Sequence, residues 1–409
     1  MTSPGDTARL SLALALSLAA PLPAQQADGP APLTRAEARA LARDHAPLLP
    51  VAAADTLAGA AAALDGRLRN DPSLAASWTK SVPRGHLEVT WPLDVAGIRG
   101  ATRRAGDARR EASDARWQAA LAEAVLGADT TYTRAAAARE RMTLSTVNAE
   151  AAARLLALAR QRRDAGDAST LEVELATLTA GRAAQDAATD SLAYASATLA
   201  LQEAIGAPTD RIRWTPSDDV GAPREIPTLA AGLPAITRAA ELDVAAARFG
   251  TLAARRTRFG GIAALTGIEF GDPSGSEPGI LPVVGVSLPL PLWNRQRGQV
   301  ALADAAEAAA RATRDRLLLA SAATVARTRR AYQVASAQLE QDGELLETAA
   351  RLESMADLAY REGEATLVEV LATRQQAREI RALHLQHQAD ASVAAATLRW
   401  LGGLDEALP

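Results

Sequence analysis

The sequence contains one design twice. A tract RLLALARQRRDAGDASTLEVELAT that begins at Arg154 returns as RLESMADLAYREGEATLVEVLAT from Arg351, so that Gly166 falls on Gly363, Glu172 on Glu369 and Val173 on Val370, each 197 residues on. The same interval separates Pro92 in VTWPL from Pro289 in VSLPL. Each copy puts a strand-like segment before a long helical tract that breaks once, at a glycine. A chain built this way has to fold as two versions of one unit, a strand pair followed by a helical hairpin.

The periodicity changes where the unit says it should. From His86 to Leu93, residues Leu87, Val89, Trp91 and Leu93 share one face and His86, Glu88, Thr90 and Pro92 the other. The hairpin partner is Ser73 to Val82, turning at Pro83-Arg84-Gly85. In the second half Val284, Val286, Leu288 and Leu290 alternate in the same way, with Gly261 to Phe270 as partner and GDPSGSEPG as the loop between them. Behind each pair comes helix. Ala101, Ala105, Ala108, Ala112, Ala115, Ala119, Ala122 and Leu126 form a heptad seam of small residues, and Ala301, Ala305, Ala308 and Ala312 repeat its start. Arg99 to Arg163 predicts a helix of about 98 Å at 1.5 Å per residue. The chain turns at Gly166 or Gly363 and returns to Gly206 or Gly403.

Shorter segments complete each half. Thr34 and Glu37 have capping-box spacing at the start of a first helix that Pro47 and Pro50 interrupt. A second helix is expected from Val51 to about Arg69, and Thr228 to about Arg258 plays its part in the second half. The expected organisation is a signal peptide at 1–24; a first repeat at 25–206, with strand pair 73–93 and hairpin 99–206; a linker rich in Pro and Asp at 207–227; and a second repeat at 228–409, with strand pair 261–290 and hairpin 298–403.

Composition limits what such a chain does. Arg9 precedes the apolar run Leu10 to Ala20, and Leu22-Pro23-Ala24 suits cleavage, so the chain is read as exported. It has no Cys, hence no disulfide and no lipid on an N-terminal cysteine. The 48% hydrophobic share is mostly Ala and Leu, with 3% aromatic residues, and beyond the signal no run approaches a membrane helix. If this chain enters a membrane, strands must carry it. A net charge of −4 and a pI of about 5.8 argue against nucleic acid as partner. No activated nucleophile, phosphate loop or zinc-spaced set is present, so neither an enzyme nor a cofactor is expected. His384 and His387 lie three apart on one helix, but no Cys or carboxylate cluster in the sequence completes a metal site around them.

Four short strands cannot close a barrel alone, and an open sheet edge is intolerable in lipid. Several chains must therefore share one barrel, with the helices continuing it as a tube. LTRAEARALARDHAPLL, the strand-to-helix joints WPLDVAGIRG and SLPLPLWNRQRG, and the tips GDASTLEVELAT and GEATLVEVLAT together resemble the outer-membrane efflux protein (TolC-like) family across nearly the whole mature chain. PLPLWNRQRG is most similar to the heavy-metal branch, the CzcC and CusC type.

The resemblance implies a mainly α protein with a small β part: duplicated long hairpins forming an α-barrel, and four strands per chain in a shared trimeric outer-membrane β-barrel. It implies a homotrimer in outer-membrane lipid that extends into the periplasm, with a periplasmic adaptor and an inner-membrane pump as partners. Carried over by position, Gly166, Ser169, Gly363 and Thr366 are expected to form tips that contact the adaptor. Glu172, Tyr360 and Glu369 are expected at a periplasmic aperture. Ala365 and Ala372 stand where TolC has a basic gate partner and a second aperture carboxylate, which puts TolC's closing network in doubt here. The expected function is the exit duct of a tripartite pump exporting metal cations. A duct for drugs or type I secretion is the alternative, and a poreless periplasmic adaptor or coiled-coil scaffold is the alternative of another class.

Overall fold

Alanine-rich stretches without internal proline form very long helices here. The computed structural model describes residues 29–81, 83–221, 235–258, 260–271, 280–290 and 296–402. In chain order the elements are β1 (Ala31–Leu33), α1 (Arg35–His45), α2 (Leu49–Asp65), β2 (Ser73–Trp78), β3 (Gly85–Pro92), α3 (Ile98–Asp164), α4 (Thr170–Ala204), β4 (Trp214–Pro216), α5 (Ala235–Thr257), β5 (Ala263–Phe270), β6 (Ile280–Ser287), α6 (Arg297–Glu362) and α7 (Leu367–Leu401).

The hairpins are unequal. α3 has 67 residues and α6 has 66, whereas α4 and α7 have 35 each. At the helical rise, about 100 Å of long helix meets about 52 Å of return helix. Each return helix thus covers only the half of its partner nearest the tip. Shorter helices cover the rest: α2 and α5 flank the sheet-side half of α3, and α5 also reaches α6. The layer therefore runs α4, α3, α7, α6 near the tips and α2, α3, α5, α6 near the sheet.

Close approach of α2 to α3 depends on glycine. A Cβ added at Gly106 would lie inside van der Waals contact of the Ala62 carbonyl, and one at Gly59 would overlap Ser113. The expected seam follows: Ala101, Ala105, Ala108, Ala112 and Ala119 are buried, while Ala115, Ala122 and Leu126 are half-buried. Its copy behaves differently. Ala301, Ala305, Ala308 and Ala312 are all exposed, because α3 lies between α2 and α5 whereas α6 has α5 alone.

The four longer strands form one antiparallel sheet in the order β2-β3-β5-β6, with β3 and β5 joining the two halves. His86 faces Glu269 across that joint and Leu87 faces Ile268. The register sorts the side chains. Leu74, Trp78, Leu87, Trp91, Ile268, Phe270, Ile280, Val284 and Val286 share one exposed apolar face. Ser73, Ser77, His86, Glu88, Thr90 and Glu269 lie on the other. Among the described residues β2 and β6 remain edges without a partner.

Several boundaries differ from the sequence reading. α2 begins at Leu49 and takes Pro50 into its first turn, where a missing N–H costs no helical hydrogen bond. It ends at Asp65, ahead of Arg69. β6 stops at Ser287, so Leu288 and Leu290 lie beyond it; Pro289 has no N–H to donate and packs over Gly261, whose φ is +83°. β4 arises inside the segment read as a linker and pairs in parallel with β1 at the start of the first repeat, Ala31 opposite Trp214. The signal peptide at 1–24, Val82, residues 222–234, GDPSGSEPG beyond Gly271, and Pro291 to Arg295 of the second joint lie outside the described residues.

One core sits beside that pair. Tyr132 is fully buried, donates to the Leu33 carbonyl at 2.9 Å and accepts from the Asp218 amide at 3.0 Å. Buried Asp129 receives Arg35 at 3.1 Å and Arg39 at 2.8 Å, so α1 is fastened to the middle of α3.

Candidate functional site at the hairpin tips

Both tips are built in the same way from the same residue types. α3 ends in a Schellman turn: Gly166 has φ +87°, the Asp167 amide donates to the Arg162 carbonyl at 2.7 Å and the Gly166 amide to Arg163 at 2.9 Å. α6 ends likewise at Gly363, φ +81°, with Glu364 donating to Ala359 at 2.8 Å and Gly363 to Tyr360 at 3.2 Å. Three residues later a hydroxyl starts the return helix. Ser169 accepts from the Glu172 amide at 3.2 Å, and Thr366 accepts from the Glu369 amide at 3.4 Å. Nothing lies within 4 Å of a Cβ placed on either glycine, so both turns face open space.

The two copies then diverge. The Glu369 carboxylate reaches back to the Thr366 amide at 2.8 Å and its hydroxyl at 3.1 Å, closing a full capping box, and these two bonds from Thr366 hold its pKa below the ordinary 4.5. The α4 cap has the Ser169 bond to the Glu172 amide without that reciprocal side-chain bond. Tyr360 is buried in a cluster with Leu155 and Ala159 of α3, Val173 and Ala176 of α4, and Leu367 and Val370 of α7. The Arg162 guanidinium lies 5.1 Å from the centre of its ring. Its hydroxyl is buried without a hydrogen-bond partner among the described residues.

The structure thus groups the sequence-derived residues in a particular way. Gly166 with Ser169 and Gly363 with Thr366 form two separate turns. Tyr360 joins the two hairpins from inside, while Glu172 is half-buried on α4 and Glu369 is exposed on α7. Farther from the tips, Arg378 of α7 pairs with Asp186 of α4 at 2.7 Å, an ion pair that ties one hairpin to the other beside a groove lined by Arg141, Ser145, Thr189 and Asp190.

His384 and His387 have a partner that the sequence reading missed. Both Nδ1 atoms contact Oδ2 of buried Asp342 on α6, at 3.2 and 2.8 Å. Among the described residues no group of three or more His, Asp or Glu side chains is arranged to hold a metal ion. The triad bolts α7 to α6.

A family model described as "Outer membrane efflux protein" matches residues 36–207 and 236–404, one segment in each repeat. The chain belongs to the outer membrane efflux protein family. It is an efflux channel of the outer membrane that extends into the periplasm, and it is not an enzyme. No curated protein matches the sequence significantly. Among solved structures, the Campylobacter jejuni CmeC outer membrane channel is similar at 16% identity and a TM-score of 0.77, covering 90% of this chain and 85% of that one. A membrane protein from Pseudomonas aeruginosa is similar at 20% identity and 0.75, covering 90% and 92%. CusC is similar at 16% identity and 0.73, covering 90% and 91%. The efflux channel therefore shares its fold with several such channels to nearly the same degree.

Proposed function

We propose that the chain is the exit duct of a tripartite efflux pump, assembled from three copies, with a periplasmic adaptor meeting its tips and an inner-membrane pump supplying the energy. The observation that carries this reading is the pair of open edges. Near the tips α4 ends the layer with Leu171, Leu178 and Leu192 exposed at multiples of seven, and α6 ends the other side with Leu345 and Leu352 exposed seven apart. Near the sheet, α2 exposes Val51, Leu57 and Leu64, and α6 exposes Leu302 and Leu319. Unlike edges that complement each other make a head-to-tail ring. Two copies would give eight strands, whose interior side chains fill; three copies, with twelve, form the smallest ring that leaves a water-filled passage.

The chain has no cysteine of its own, which makes the test direct. Leu178 and Leu352 lie at similar heights above their tips. Oxidation of a Leu178→Cys, Leu352→Cys variant should link three chains, and each single variant should link none. A double variant that stays monomeric in the membrane overturns the ring.

Metal cations are the proposed cargo. The joint PLPLWNRQRG and the acidic Glu172 and Glu369 beside the tips support this, with the aperture formed by Glu172, Tyr360 and Glu369. Loss of the gene should sensitise cells to transition-metal salts and leave tolerance of dyes and detergents unchanged; the reverse pattern assigns a drug cargo.

A further inference from the structure

The strands are short for a membrane crossing, and the shortness is fixed at both ends. A spanning strand takes about 9–11 residues, whereas β3, β5 and β6 have 8 each. Away from the helices, β2 and β3 close through a turn in which the Thr79 amide donates to the Arg84 carbonyl at 2.7 Å, and Lys80 and Arg84 in that turn are exposed. β5 runs between Gly261 and Gly271, both with φ +83°, a left-handed backbone that ends an extended strand. At the helix end, Pro92 closes β3 and Pro289 follows β6, and neither has an N–H for a further ladder bond. Just beyond, exposed Asp94 accepts from the Ile98 and Arg99 amides at 2.7 and 3.0 Å.

Between these limits no charged side chain lies on the apolar face among the described residues. Aromatic side chains mark both margins. Phe270 covers Gly85, where an added Cβ would lie 2.3 Å from its ring, and meets Trp78 edge-on with ring centres 6.0 Å apart. Trp91, near the other margin, donates from Nε1 to the Thr266 hydroxyl at 3.2 Å. Such rings sit at the two interfaces of a bilayer. Gly85, level with Trp78 and Phe270, lies eight residues before Leu93, which makes the last ladder bond of its strand. The apolar band is therefore about 27 Å long along the strands and about 20 Å tall at the strand tilt of a closed barrel. Outer-membrane barrels ordinarily present a band of about 25 Å. We infer that this barrel fits a hydrocarbon layer of about 20 Å, so that it binds short-chain lipid in preference to long and thins a thicker membrane around it. The peptide groups of the turns cannot follow into hydrocarbon, so the lipid makes the adjustment. The height of the band rests on the closed barrel proposed above.

The test uses the full-length wild-type protein in vesicles that mix brominated dioleoyl phosphatidylcholine with an unbrominated phosphatidylcholine of one chain length, from dilauroyl to dierucoyl. Trp78 and Trp91 are exposed on the apolar face, so bromine quenching of their fluorescence reports, at equilibrium, which lipid touches the band. Dilauroyl lipid should displace the brominated lipid best, with an affinity at least about threefold that of dioleoyl lipid, and affinity should fall with each longer chain. An affinity that is independent of chain length, or highest for dioleoyl or longer lipid, overturns the inference. A protein whose tryptophans are quenched in none of the mixtures overturns the closed barrel instead.

Discussion

At the residue scale, Glu369 has two separable roles, because its carboxylate is both a charge near the proposed aperture and one half of a helix cap. Glutamine can close the same capping box without the charge. Glu369→Gln should therefore keep the cap but lack, at neutral pH, the increment that the charge adds, whereas Thr366→Ala, which removes the other half of the box, should cost about 1 kcal/mol. The pH dependence fixes the sign. A carboxylate with its folded-state pKa lowered contributes stability that is fully present above 4.5 and is lost as pH falls through the lowered value. Wild type should lose that increment on acidification and Glu369→Gln should show no such step, measured by thermal melts between neutral and strongly acid pH.

Residues also show what the sequence could and could not convey. Gly166 and Gly363 were legible because a left-handed turn leaves a glycine signature at a fixed distance from a hydroxyl cap, and both observed φ values are positive. The Asp342 partnership with His384 and His387 was not. It links residues 42 and 45 apart on antiparallel helices, so finding it requires the register of α6 against α7 and the turn length between them. The buried position of Tyr360 was hidden for the same reason: its neighbours come from three other helices.

At the element scale, the tips are short loops under backbone constraint alone. Nothing crowds a Cβ at Gly363, so the whole penalty of a β-branched residue there comes from forcing φ to +81°. Gly363→Val should destabilise the second hairpin by about 2 kcal/mol and weaken adaptor capture. Hydrogen exchange should show the loss confined to the facing ends of α6 and α7, with the sheet protected as in wild type. Loss of protection spread over the sheet would mean that this turn does more than join two helices. The long helices were readable from seam periodicity to within a residue or two. The β1–β4 pair was not, because three-residue strands carry no period and are held by Tyr132 and Asp218 from elsewhere.

At the scale of the whole molecule, duplication in the sequence has become inequality in the structure. The first repeat finds both neighbours within its own chain, since α3 is enclosed by α2 and α5. The second finds one, and Ala301, Ala305, Ala308 and Ala312 stay uncovered along α6. Exposed seams and open strand edges stabilise nothing until another copy arrives, and such segments are where local unfolding begins. On the ring proposed above, a chain without its neighbours would leave that face of α6 and the two sheet edges uncovered, so limited proteolysis of the unassembled chain should cut there before it cuts the enclosed half of α3.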